Sequence, residues 1–157
     1  MLTPFLSTAI RWVSTSWGET SKRLVCNQLR SENAEGVVFK RCEAAFTSGR
    51  PNSGGDQFKF KFVETASVIV LKLNQRRSVA IGLWGDAKLV PAGNLTIPVD
   101  QPVPDVGDII EVRYLYAIPG SGSLFQPVYL GPRDDIAAAE CCRDQLKFRK
   151  APESTAA

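Results

Sequence analysis

A chain of 157 residues, 44% apolar and 22% charged, can bury the core of one ordinary domain, or of one small domain plus part of another. Its composition excludes wholesale disorder, and no apolar run is long enough to span a bilayer. With no histidine, the chain lacks the commonest general base, which excludes Ser-His-Asp and Cys-His catalysis within it.

Residues 1–13 are mildly apolar but carry neither a basic leading region nor a small-residue cleavage site, so no signal peptide is expected. Residues 20–34 are expected to form a helix, with Leu24, Val25 and Leu29 on one side and Asn33 and Gly36 as stop signals. Residues 36–40 read as a short buried strand. Residues 47–55 combine glycines, a proline and small polar residues, and are expected to form a surface loop between two strands. Residues 57–62 alternate strictly. Phe58, Phe60 and Phe62 fall on one face, and Lys59 and Lys61 on the other.

From residue 66 onward the pattern is strand after strand. Residues 66–74 and 77–83 flank a turn at Asn74, Gln75 and Arg76. Residues 88–99 carry Gly93 and Asn94, which suggest a bulge or bend. In residues 108–117, Ile110, Val112, Tyr114 and Tyr116 face one way; a turn at residues 119–122 sends residues 124–130 back. Five short strands in about seventy residues suit an OB-fold barrel. A short helical stretch is expected after Asp134, then a frayed tail over residues 151–157.

Positive charge gathers early. Residues 1–62 hold nine Lys/Arg and five Asp/Glu, whereas residues 63–157 hold ten and eleven. The four cysteines, Cys26, Cys42, Cys141 and Cys142, form no Cys-x-x-Cys pair. Without histidine they complete no zinc site, and they read as reduced thiols of a cytoplasmic protein.

Two constellations carry chemistry. In Glu35-Gly36-Val37-Val38-Phe39-Lys40, a carboxylate enters a strand through glycine, and a lysine is expected to leave it on the same side of the sheet. Lys59 and Lys61 put two ammonium groups on one strand face. One acid and three cations are what a nucleoside triphosphate with its magnesium requires. Taken alone, the Lys-Phe alternation also describes a half-exposed edge strand whose lysines guard against aggregation.

The order of these motifs resembles ATP-dependent DNA ligases. Glu35 to Arg41, then a Gly/Pro loop with Ser48, Gly49 and Arg50, then Lys59 to Phe62, is similar to the fourth and fifth nucleotidyltransferase motifs of that family. Gly107 to Tyr114 resembles a strand of its OB-fold. Gln126 to Asp135 resembles its sixth motif, an apolar strand leading to Arg-x-Asp-Lys. The resemblance covers residues 10–136. It implies a mostly β chain (α+β), with a partial nucleotidyltransferase sheet followed by a five-stranded OB-fold barrel. Residues 1–64 would be the end of the nucleotidyltransferase domain, 65–150 the OB-fold, and 151–157 the tail.

The resemblance also implies roles. Glu35 would bind the catalytic metal, Mg2+, or the ribose. Lys59 and Lys61 would contact the α-phosphate of ATP and then the AMP phosphate, with Lys40 in the same pocket. Arg133, with Asp135, would close over the outer phosphates and orient pyrophosphate. The implied function is joining nicks in duplex DNA through an AMP intermediate, chemistry that repair, replication and recombination all use. The implied partners are nicked duplex DNA and the missing N-terminal ligase portion, with no membrane.

Two departures limit this. No lysine is followed by x-Asp-Gly, so the family's adenylylated nucleophile is absent and no catalytic residue is assigned. Ile136 stands where the family has the lysine of its sixth motif. The chain is therefore expected to be inactive alone, and the alternative is a non-catalytic OB-fold module that binds DNA or a nucleotide.

Overall fold

The computed structural model describes Val13, residues 15–45 and residues 55–149. Helix α1 spans Glu19–Ser31. Glu19 sits in its first turn and Arg30 in its last, matching the ends of the helix dipole, and Arg23 pairs with Glu19 at 2.7 Å. Asn33 ends the helix in the left-handed region at φ 56°. The amides of Asn33 and Ala34 then return to the carbonyls of Arg30 and Leu29 at 3.1 and 2.9 Å, closing a Schellman turn.

Strands β1 (Gly36–Lys40) and β2 (Gln57–Lys61) pair antiparallel as a two-stranded sheet. The residues that join them at positions 46–54, with most of the expected loop, lie outside the described residues. No residue of α1 is buried. Phe58 and Phe60 stay 53% and 45% exposed, while Phe62 is only 2% exposed. The three phenylalanines therefore do not share one environment. The chain leaves β2 before Phe62, whose amide donates to the Glu35 carbonyl at 2.9 Å. Its ring turns inward under the Arg30 guanidinium, 4.9 Å away.

Strands β3 (Glu64–Leu73), β4 (Ser78–Gly85), β5 (Lys88–Thr96), β6 (Ile109–Tyr114) and β9 (Val128–Pro132) form a five-stranded antiparallel sheet in the order β5-β4-β3-β6-β9. A short pair, β7 (Tyr116–Ala117) and β8 (Leu124–Phe125), lies between β6 and β9 in sequence. The fold is mostly β and OB-fold-like, as the strand spacing implies.

Three register shifts curl the sheet, each consistent with one extra residue in a strand. Leu71 is the extra residue in β3, Ala92 in β5 and Leu130 in β9. The β5 bulge falls beside Gly93, at φ 117°, where the sequence signals a bend. Gly82 faces the bulged Leu71; a Cβ there would sit 2.6 Å from the leucine side chain.

The core cluster comes wholly from the barrel and its tail, with Val68, Val79, Ile81, Ile110 and Val112 at 0% exposure. Ile110, Val112, Tyr114 and Tyr116 are all buried, as their alternation predicts. Leu115 and Ala117 are buried too, because the chain breaks out of alternation between β6 and β7.

The tail departs from expectation. In place of one helical stretch it has two 3-10 turns, Ala138–Glu140 and Arg143–Gln145, and residues through Arg149 pack onto the barrel. Cys141 and Leu146 join the core, and Phe148 bridges to Ala117. The expected frayed tail lies outside the described residues. Among the described residues, no helix is long and apolar enough to cross a membrane.

Candidate phosphate-binding site

Gly36 governs how β1 begins. Its φ of 153° and close packing against β2 leave no room for a side chain. A Cβ there would lie 2.1 Å from the Phe60 carbonyl oxygen and 2.8 Å from the Lys61 Cα. Glycine thus lets the chain pass from Glu35 into the strand while pressed against β2.

The register sets which side chains share a face. Lys40 opposes Gln57, Val38 opposes Lys59, and Gly36 opposes Lys61. Directly opposed residues in an antiparallel pair project from the same face. Lys40, Lys59 and Lys61 therefore lie on one face of the hairpin, and Val37, Phe39, Phe58 and Phe60 on the other. All three lysines are exposed. Lys59 and Lys61 alternate along one strand, about 7 Å apart at their Cα atoms.

Glu35 lies just before β1. It is not a strand residue, so alternation does not fix the face its side chain takes. Its carbonyl accepts the Phe62 amide at 2.9 Å. It is exposed, and among the described residues no group of three or more Cys, Asp or Glu could hold a metal ion. One carboxylate does not make a magnesium site. It fits magnesium only as a single ligand, with waters and substrate phosphates supplying the others.

Lys61 bridges the two parts of the molecule. Its Nζ donates to Gln126 Oε1 at 2.9 Å, from the hairpin to the segment between β8 and β9. Lys147, on the tail, supports the same junction. Its side chain is 10% exposed, and its Nζ donates to the Phe62 carbonyl at 3.2 Å and lies 4.0 Å from Glu64 Oε1. Neither Gln126 nor Lys147 has a role that the sequence reveals, because both interactions depend on how the tail and β9 wrap the barrel.

Arg133 lies elsewhere, at the end of β9, and its hydrogen-bond partners are all barrel residues. Its Nε and Nη2 donate to the two oxygens of Asp135 at 2.6 and 2.9 Å. Its Nη1 donates to Glu111 Oε2 at 3.0 Å and to Ser67 Oγ at 3.3 Å. The Asp135 hydrogen bonds raise the guanidinium's pKa, and the same pairing holds the Asp135 carboxyl below the usual carboxylate range. Ser67 Oγ also donates to Glu111 Oε2 at 2.6 Å. Gln145 secures the adjacent backbone by accepting from the Ser67 amide and donating to its carbonyl. The structure thus puts Lys40, Lys59 and Lys61 on one face of the hairpin, leaves Glu35 at its root, and pairs Arg133 with Asp135 in a separate place.

No protein-family profile matches the sequence, and no curated protein does. Solved structures do match. A Lig E DNA ligase, the subject of a structure–function study of DNA binding with a minimal scaffold, superposes with a TM-score of 0.56 at 17% identity, over 73% of this chain and 46% of its own. The ligase domain of M. tuberculosis LigD gives a TM-score of 0.42 at 23% identity, over 77% of this chain and 50% of that one. A mycobacterial DNA ligase D complexed with ATP and MES gives 0.44 at 22%, over 78% and 51%. The last two superpositions are too loose to carry weight. The chain spans about half the length of the ligases it matches. It shares the fold of a DNA ligase over that half.

Proposed function

We propose that this chain serves phosphodiester bond formation at nicks in duplex DNA, as the distal part of an ATP-dependent ligase. Residues 1–64 are then the end of a nucleotidyltransferase domain, and residues 65–150 an OB-fold that lies on the duplex. The observation that carries this reading is the registration of Lys40, Lys59 and Lys61 on one exposed face of the hairpin, within a fold shared with a Lig E ligase.

Three ammonium groups on one face can neutralise the phosphate of ATP, and then that of an AMP-capped DNA end, by placement and charge alone. Arg133 is the further cation for the outer phosphates. Glu35 would contribute one oxygen to a magnesium ion or to the ribose. Magnesium, when bound with the triphosphate, would shield charge on the transferring phosphoryl group. The lysines bind and orient it whether or not the metal is present.

Salt dependence of binding to nicked duplex tests this. Affinity is expected to fall steeply with salt. Lys59→Ala/Lys61→Ala is expected to lower the logarithmic slope by roughly two, because each lysine removed leaves one phosphate with its counterions. Binding unaffected by that double replacement contradicts the reading.

A second reading, a non-catalytic OB-fold that binds DNA or nucleotide, draws on the OB-fold-like sheet carrying its own core. It requires that replacements on the barrel surface, rather than in the hairpin, abolish DNA binding.

A further inference from the structure

We propose that Asp135 is a releasable stand-in for a phosphate group on Arg133, and that Glu111 is the positioning residue that keeps the guanidinium aimed while Asp135 turns over. The inference rests on the reading of Arg133 as a phosphate ligand.

A guanidinium meets an oxyanion best through two parallel N–H donors on one edge. On Arg133 the Nη1 donors are committed to Glu111 and Ser67. Only the Nε/Nη2 edge remains for a bidentate anion, and Asp135 occupies it with both carboxylate oxygens. A phosphate reaching Arg133 in bidentate fashion has to take the place of that carboxylate.

The two carboxylates differ in how freely they can leave. The Glu111 side chain is 18% exposed, projects from β6, and shares its Oε2 with Ser67 of β3. The Asp135 side chain is 60% exposed and lies beyond β9, two residues after the arginine it binds. Water can replace the second at little cost. Replacing the first strands a half-buried charge network. Two carboxylates around one guanidinium also leave the locality negative, so an incoming polyphosphate is repelled until Asp135 swings away. The lowered pKa of Asp135 agrees with a formed ion pair.

The test is calorimetric titration of the full chain with inorganic pyrophosphate, with melting temperature measured for each variant. Asp135→Asn is expected to tighten binding about fivefold, the scale of one exposed competing ion pair, or to make binding measurable where the parent's is too weak to titrate. That gain is expected to vanish in Arg133→Ala/Asp135→Asn. Glu111→Gln is expected to weaken binding while the chain stays folded; if that variant unfolds, Glu111→Asp is the substitute, with the same expectation. Arg133-dependent binding with no gain in Asp135→Asn overturns the proposal alone. Binding indifferent to Arg133→Ala, or absent from both parent and Asp135→Asn, overturns the underlying phosphate reading of Arg133 as well.

Discussion

Lys61 Nζ and Gln126 Oε1, 65 positions apart in sequence, meet at 2.9 Å and fasten the hairpin to the barrel. Gln126 reaches that position from a left-handed backbone conformation, φ 54°, which few residues other than glycine adopt without strain. Gln126→Ala is expected to quicken amide exchange across β1 and β2, while barrel exchange stays unchanged. The bond is exposed, so its removal corresponds to no more than about 1 kcal/mol.

Gly36 has no tolerated substitute. Gly36→Ala forces a Cβ into the Phe60 carbonyl and is expected to destabilise the hairpin by about 3 kcal/mol or more. The expected reading is loss of amide protection in β1 and β2, with the barrel's melting transition retained.

Arg77 is a structural cation. It sits at φ 55° after Arg76 at φ 54°, and its guanidinium reaches the carbonyls of Ile97, Pro98 and Gln101. These bonds tie the β3–β4 turn to the chain beyond β5. Arg77→Ala is expected to cost about 2 kcal/mol in thermal or denaturant unfolding, the scale of hydrogen bonds to a charged donor, without changing DNA affinity at low salt.

The pH dependence of stability follows from Asp135. Its folded-state pKa is lowered by Arg133, so the unfolded chain binds the proton more readily. The pair's stabilisation is complete above the ordinary carboxylate range and is lost as pH falls through the depressed folded value, below about pH 4. Asp135→Asn is expected to lower the melting temperature at pH 7 and to have little effect near pH 2. An equal loss at both values contradicts the ion pair.

The cysteines are expected to react in the order of their burial. Cys42 is exposed, whereas Cys141 is fully buried and its thiol pKa is pushed up, chiefly by that burial. Alkylation at pH 8, followed by mass spectrometry, is expected to label Cys42 first and Cys141 only on unfolding.

The barrel was legible because alternation survives in it. Ile110, Val112 and Tyr114 announce a buried face, and Gly93 marks a bulge. The hairpin lysines were legible for the same reason. Phe62 was not, because alternation continues in the sequence after the strand has ended in space. The tail was not either. Cys141, Leu146 and Phe148 are apolar singletons without a period, and only the surface they meet on the barrel fixes their place. The Glu111–Arg133 pairing depends on β6 lying against β9 through a bulge at Leu130, a register that no local pattern encodes. The face of Glu35 was not legible, because it stands before the strand whose alternation would set it.

The most direct test of the central claim, that the lysine face of the hairpin holds the phosphate of an AMP-capped DNA end, is an equilibrium binding comparison. Affinity is measured for one nicked duplex carrying either a 5′-phosphate or a 5′-adenylylated end at the nick, for the parent chain and for Lys59→Ala/Lys61→Ala. The expected result is tighter binding of the adenylylated nick by the parent, with that preference abolished in the double variant. Equal affinity for the two ends, or a preference that survives the double replacement, contradicts the account.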